Sequence, residues 1–248
     1  MARLAGKTAF ISGAASGLGA AMARAFVAEG ASVVIADIDE AGGAAMVAEL
    51  GSAARFVMLD VTKEQSWLDA FATCGPLDVL VNNAGITTLG SIEDVTLDQF
   101  RHELDIDVLG VFLGTKHVLP LMKAKGGSII NMSSLAGIRA TSSLVVYNAA
   151  KAAVTLMTKS CALHFAEKGY GIRCNSIHPG AIHTPIIDKV LAQSADPDAL
   201  YASFVATHPV GRLGKPDEIA SIAVYLASDL AGNVTGSNLS IDGGWTAL

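Results

Sequence analysis

The sequence predicts one α/β domain built on a doubly wound parallel sheet, and three observations carry that expectation. Short β-branched runs bounded by Gly, Asp or Asn alternate with longer stretches that place Ala, Leu and Met at helical spacing, the pattern of βαβ units. Most of the runs are continuously apolar, as strands buried on both faces of a parallel sheet must be. The chain has 248 residues, 51% hydrophobic and 16% charged, enough for one large core and too apolar for a disordered chain.

Strands are expected at Thr8 to Ser12, Ser32 to Asp37, Arg55 to Asp60, Val79 to Asn82, Ser128 to Met132, Ile172 to Ile177 and Leu239 to Ile241. Helical patterns fill the intervals at Leu18 to Glu29, Glu40 to Leu50, Lys63 to Ala72, Leu97 to Lys125, Leu144 to Lys168 and Pro216 to Ser228. Seven strands and at least six helices fit a single doubly wound domain spanning residues 1–248, with strand order 3-2-1-4-5-6-7 and helices on both faces. The one long irregular region, His178 to Lys215, contains Pro179, Pro185, Pro197 and Pro209. Short helices are expected in it around Ile186 to Ala192 and Asp198 to Thr207. An insertion of this length at the carboxyl end of a strand forms a lid or binding loop.

Charge and composition exclude several classes of partner. Seventeen Lys and Arg against 23 Asp and Glu give a net charge of −6, with the basic residues scattered singly, so no nucleic acid and no anionic membrane is expected as a partner. No apolar run approaches the ~18–20 residues of a bilayer span, and the N-terminal residues lack a long apolar signal segment, so a soluble, cytoplasmic protein is expected. Cys74, Cys161 and Cys174 are odd in number and lack C-x-x-C spacing, which argues against a disulfide framework and a zinc site; no metal is expected.

The chemistry begins at Ser12-Gly13-Ala14-Ala15-Ser16-Gly17-Leu18-Gly19, between the first strand and first helix. Glycines there let the backbone approach a pyrophosphate, whose charge is met by the helix N-terminus. The spacing G-x-x-x-G-x-G only approximates the general dinucleotide fingerprint, and tight strand-to-helix packing alone also produces such turns. Asp37, closing the second strand, adds the expected carboxylate for the adenosine ribose hydroxyls. Ile38 follows it and no Arg or Lys lies in the glycine turn, so NAD is expected over NADP, although a solvated strand-end charge would look the same. Asp60-Val61 and Asn82-Asn83-Ala84-Gly85 end the third and fourth strands at the same sheet edge.

Tyr147-x-x-x-Lys151 opens a long helical pattern thirteen residues after Ser134, which lies just beyond the fifth strand. Spacing of four puts tyrosine and lysine on one helix face, where the cation favours the phenolate and makes the phenol an acid/base usable near neutrality. Such a pair also arises by chance on helix surfaces. Here it coincides, in order, with the glycine turn, Asp37 and the Asn-Asn-Ala-Gly segment.

On these marks, with Asn175-Ser-Ile-His-Pro179-Gly180, Thr184 and Ile241-Asp-Gly-Gly-Trp245, the whole chain resembles the short-chain dehydrogenase/reductase family, most nearly the bacterial hydroxysteroid and cyclic-alcohol dehydrogenases. The resemblance implies a Rossmann-type, NAD-dependent oxidoreductase that interconverts a secondary alcohol and its ketone without a metal. It implies that Tyr147 moves the hydroxyl proton, that Ser134 holds the substrate oxygen, and that Lys151 binds the nicotinamide ribose. Gly13, Ser16, Gly17, Leu18, Gly19, Asp37, Asp60, Val61, Asn83, Ala84, Gly85, Pro179, Gly180, Ile182 and Thr184 are implied to hold the rest of the cofactor. A homotetramer is the assembly it implies.

One position departs from the family pattern. Asp107 stands where a catalytic Asn, three residues before a Gly, is usual. An ionised carboxylate accepts hydrogen bonds but cannot donate them, and its charge opposes the phenolate. The site then works with a more alkaline oxidation optimum, or is catalytically impaired, an NAD-binding sensor or scaffold. A ketoacyl-type reductase is the alternative within enzymes, opposed by Asp37. His178 reads as structural in its His-Pro-Gly turn. Leu135, Ala136 and His183 are candidate substrate contacts, and Arg139 is either a solvated charge or a partner for a substrate carboxylate. Ile86, Ile138, Leu144, Ile186, Ile187 and Val190 join Leu135 and Ala136 as candidate pocket walls.

Overall fold

A computed structural model of the chain describes residues 2–192 and 194–247, without the side chains of Ile186 and Lys189. Its strands are β1 (Thr8–Ser12), β2 (Ser32–Asp37), β3 (Ala54–Met58), β4 (Val79–Asn82), β5 (Gly127–Met132), β6 (Ile172–Pro179) and β7 (Asn238–Ile241). They form one seven-stranded sheet in the order β3-β2-β1-β4-β5-β6-β7, and every neighbouring pair is parallel. Parallel neighbours require crossovers. These are supplied by α1 (Gly17–Ala28), α2 (Glu40–Leu50), α3 (Glu64–Ala72), α4 (Leu97–Leu104), α5 (Gly110–His117), α6 (Leu119–Met122), α7 (Val145–Glu167), α8 (Pro185–Ala192), α9 (Pro197–Ala206) and α10 (Pro216–Ala227).

Successive strand residues point to opposite faces, and helices cover both. Ala9 and Ile11 of β1, with Val33, Ile35, Val79 and Val81, pack under Met22 and Phe26 of α1 and Ile219 and Val224 of α10. Phe10, Val34 and Leu80 face the other way, onto Trp67 and Phe71 of α3, Leu113 of α5 and Phe165 of α7. The Phe10, Trp67 and Phe71 rings stack at centroid separations of 4.8–5.9 Å. Trp67 is fully buried and its Nε1–H donates to the Val61 carbonyl at 3.1 Å. That bond fixes the segment after β3, which enters the site described below. Removing such a ring costs about 3–5 kcal/mol.

The helical pattern from Leu97 to Lys125 is one element by periodicity but three by structure. A π-turn over Asp105–Leu109 separates α4 from α5, and Pro120, which lacks an N–H and crowds the carbonyl four residues back, separates α5 from α6. Lys125 lies beyond the last of them. β3 stops at Met58. Asp60 and Val61 therefore belong to the following turn, not to the strand: Asp60 Oδ1 takes the Thr62 N–H at 3.0 Å and its hydroxyl at 2.7 Å, a local turn that competes with the sheet ladder. Among the described residues no helix is long and apolar enough to cross a membrane.

Because β1 sits between β2 and β4, the chain leaves the sheet in opposite directions on either side of it. A crevice opens at the carboxyl ends of β1 and β4, the place where α/β sheets bind ligands.

Candidate active site

The crevice continues into one cavity of about 1020 Å³ that runs from the β1–α1 turn to the loop after β6. At its first end, Gly13 has φ +66°, and a Cβ there would lie 2.7 Å from Ala84 Cα. Only glycine allows the two chain exits to approach so closely. The exits are also tied by hydrogen bonds. Ser12 Oγ accepts from the amides of Asn83 at 3.0 Å and Ala84 at 3.2 Å, and Asn83 Nδ2 donates to the carbonyls of Ser12 and Gly13 at 3.0 and 2.9 Å. Asn83 thus holds the turn as well as lining the cavity.

Ser16, at the N-cap of α1, makes no side-chain capping bond, and the first turn carries no acidic residue. Helix-terminal amides in that condition suit a phosphate. Asp37, at the end of β2, accepts the Ala15 N–H at 2.9 Å through Oδ2 and the Asp39 N–H at 3.0 Å through Oδ1. The carboxylate faces the same cavity. Glycine cradle, uncapped helix terminus and strand-end carboxylate together fit a dinucleotide, which Gly13, Ser16, Gly17, Leu18, Asp37, Asp60 and Val61 are placed to hold.

At the other end stand Ser134, Tyr147 and Lys151. Ser134 follows β5 in an extended conformation, and its Oγ accepts the Ala136 N–H at 3.1 Å. Its carbonyl accepts from His178 Nδ1–H at 2.9 Å, while His178 Nε2 meets the Ser176 hydroxyl at 2.8 Å. A carbonyl can only accept, so Nδ1 carries the proton. Burial pushes the His178 imidazole below its ordinary range, against the opposing Ser134 bond. His178 is therefore a brace behind Ser134.

Tyr147 and Lys151 share one face of α7, with Lys151 Nζ 5.4 Å from the Tyr147 ring centre. The Lys151 backbone carbonyl accepts the Ser133 hydroxyl at 2.9 Å and the Thr155 hydroxyl at 2.6 Å, which locks the helix against the exit of β5. Nζ donates to the Met132 carbonyl at 3.2 Å and forms an ion pair with Asp107 Oδ2 at 2.8 Å. The lysine side chain is 5% exposed and the aspartate 0%. Burial alone would lower the Lys151 ammonium; Asp107 and Tyr147 outweigh it and raise it. Asp107 Oδ1 meanwhile accepts the Ile86 N–H at 2.8 Å.

Of the residues singled out in the sequence, Ala84, Gly85, Leu135, Ala136, Pro179, Gly180, Ile182 and Thr184 also line the cavity, as do Ile86, Arg139, Leu144, Ile187 and Val190. Four stand elsewhere. Gly19 is buried against the Gly13 carbonyl, where its missing side chain lets α1 close on the turn. Asp107 lies behind Lys151. His183, expected near substrate, turns its ring outward against Asp188 at 3.2 Å, with its backbone N–H bonded to Gly214, and is not among the cavity's lining residues. Ile138 is 49% exposed and also off the cavity. The Ile186 side chain lies outside the described residues. Sequence reasoning missed Thr87, Leu89, His102, Thr141, Ser143, Leu200 and Phe204, which line the cavity from segments with no motif of their own. Trp245 joins them, its carbonyl accepting from Arg139 at 3.0 Å. Among the described residues no cluster of three His, Cys, Asp or Glu is arranged to hold a metal.

A family model described as enoyl-(acyl carrier protein) reductase matches residues 13–246. A 3-alpha-(or 20-beta)-hydroxysteroid dehydrogenase of Mycobacterium tuberculosis is 45% identical over 99% of this chain and 91% of its own length. A trans-4-hydroxycyclohexanecarboxylate dehydrogenase of Sinomonas cyclohexanicum is 43% identical over 99% and 95%. An NADP-dependent (R)-specific alcohol dehydrogenase of Lentilactobacillus kefiri is 41% identical over 99% and 98%. The chain belongs to the short-chain dehydrogenase/reductase family. It is an oxidoreductase of that family, whose members use a nicotinamide dinucleotide.

Proposed function

We propose that the protein is an NAD-dependent dehydrogenase that interconverts a secondary alcohol, cyclic or steroid-like, and the corresponding ketone. The observation that carries this reading is that Ser134, Tyr147 and Lys151 line one cavity with the glycine turn and Asp37. When bound, the dinucleotide accepts or supplies the hydride. Tyr147 gives or takes the hydroxyl proton at its phenolic oxygen, and Ser134 Oγ donates a hydrogen bond to the substrate oxygen beside it. Lys151, held cationic against Asp107, attracts the charge left on the phenolic oxygen when its proton departs. His178 keeps Ser134 in place through the backbone.

NAD is favoured because the Asp37 carboxylate can accept hydrogen bonds from ribose hydroxyls and would repel a phosphate esterified there. The substrate class rests on the apolar side chains of Leu135, Leu144, Ile187, Leu200 and Phe204 in the cavity, and on the steroid and cyclohexane substrates named for two relatives. A cytoplasmic homotetramer is the proposed state. Exposed Leu97, Phe100, Leu109 and Phe112 around α4 and α5, with Leu156 and Leu163 on α7, offer the apolar faces, and Cys74, Cys161 and Cys174 are free thiols suited to a reducing compartment.

A second reading, a nicotinamide-binding protein without turnover, draws on the Asp107 charge that sits on Lys151. One assay separates the two. NADH formation is measured with simple cyclic, aromatic and steroid secondary alcohols, with NADP and Tyr147→Phe as controls. NAD-dependent turnover that disappears in Tyr147→Phe supports the dehydrogenase; NAD binding without turnover across the panel supports the second reading.

A further inference from the structure

Glu103 lies on α4 one turn before Asp107 and is 0% exposed. Its Oε2 accepts the Thr88 N–H at 2.8 Å, and Oε1 is buried with no hydrogen-bond partner among the described residues. Asp107 repeats the arrangement one turn on, with Oδ1 on the Ile86 N–H and Oδ2 against Lys151. Two carboxyls four residues apart therefore hold alternate amides of the segment after β4, whose residues Ile86, Thr87 and Leu89 line the cavity.

The charges acting on Glu103 are Asp107, on its own helical segment, and Lys151, from the facing α7, where Tyr147 adjoins the lysine. Lys151 is already matched by Asp107. One buried cation does not balance two buried carboxylates, and an ionised Glu103 would keep a bare oxygen away from water with a single neutral donor on the other. A proton on Glu103 removes the excess negative charge.

We propose that Glu103 is a positioning residue of the reaction that keeps its proton at neutral pH, clamping residues 86–88 together with Asp107 while leaving the Asp107–Lys151 pair electrically balanced. Loss of that proton at alkaline pH places a second negative charge beside Lys151, disfavours the Tyr147 phenolate that must take the alcohol proton, and lowers the rate of alcohol oxidation. The electrostatics agree: burial pushes the Glu103 carboxyl above its ordinary range, the Thr88 bond resists, and the Asp107 charge adds to the rise. The proposal about the rate rests on the reading that Tyr147 and Lys151 carry the proton step; the protonation of Glu103 does not.

The test compares wild type, Glu103→Gln and Glu103→Leu. Infrared difference spectra of wild type minus Glu103→Gln at neutral pH are expected to show the carbonyl band of a protonated carboxylic acid, which fades as pH rises. Glu103→Leu, which orphans the Thr88 N–H, is expected to lose roughly tenfold or more in kcat/KM for the alcohol. Glu103→Gln, which keeps an acceptor for Thr88 and stays neutral, recovers most of that loss and removes the alkaline decline expected of wild type. Absence of the infrared band, a Gln variant as impaired at neutral pH as the Leu variant, or a Gln profile that superimposes on wild type through the alkaline range overturns the proposal. If Glu103→Leu does not fold, the spectrum and the Gln profile decide alone. Persistence of turnover in Tyr147→Phe would overturn the dehydrogenase mechanism while leaving the Glu103 band intact, so the two failures are distinguishable.

Discussion

Replacing Gly13 with alanine tests the cradle that fits the chain for a dinucleotide, and Gly17→Ala supplies the internal comparison. Both glycines have positive φ, +66° and +56°, so each substitution carries a left-handed backbone penalty of about 1–2 kcal/mol. They differ in what the new methyl meets. At Gly17 nothing lies within 4 Å, whereas at Gly13 the methyl would stand 2.7 Å from Ala84 Cα and 2.9 Å from Ala84 N, both backbone atoms pinned by Ser12 Oγ. Backbone cannot swing aside as a side chain can, so Gly13→Ala carries an added overpacking penalty of about 1–3 kcal/mol. For a chain of this size that difference corresponds to a Tm lower than that of Gly17→Ala by roughly 2–12 °C. Differential scanning calorimetry of both variants without cofactor measures it. Equal Tm values for the two variants would refute the claim that close approach of the β1 and β4 exits, rather than φ alone, demands glycine at position 13.

Four further outcomes follow from the same geometry. Asp37→Asn removes the charge expected to exclude a 2′-phosphate; the ratio of kcat/KM for NAD over NADP should fall by ~10-fold or more, and an unchanged ratio would place cofactor choice elsewhere. Asp107→Asn keeps an acceptor for Ile86 but withdraws the negative charge beside Lys151, so the alkaline limb of alcohol oxidation should move to lower pH by about one unit, as a pH-rate profile would show. His178 has its folded pKa depressed by burial, so its contribution to stability is complete above the unfolded value of about 6.5 and is lost as pH falls through the lower folded value. His178→Gln should therefore show a shallower acid-side fall in Tm than wild type. Trp67→Ala should lower stability by about 3–5 kcal/mol in denaturant titration, because the ring fills the core between α3 and β1 and anchors Val61.

The sheet was legible because burial on both faces leaves a continuous apolar signature: Phe10 and Ile11 point in opposite directions yet both meet helices. The glycine turn, Asp37 and the Ser134, Tyr147 and Lys151 set were legible because each motif sits at the carboxyl end of a strand or the start of the helix beyond it, and the topology brings those ends together. Other features left no local trace. The π-turn at Asp105–Leu109 keeps the apolar periodicity of a straight helix, so its widening is invisible in the pattern. Glu103, flanked by Arg101, His102 and Leu104, has the look of a solvated helix face, and only the packing of α4 against α7 shows it to be buried. His183 adjoins Thr184, which lines the cavity, but its own N–H bonds the Gly214 carbonyl and its ring turns outward to Asp188, an orientation that sequence spacing does not encode.

The most direct test of the account is NADH formation from a cyclic secondary alcohol by wild type and Tyr147→Phe, with NAD binding measured in parallel. The account predicts turnover by wild type and a loss of ~100-fold or more in the variant with NAD binding retained, the size expected for removal of a general acid/base. Turnover by Tyr147→Phe within a few fold of wild type would contradict it.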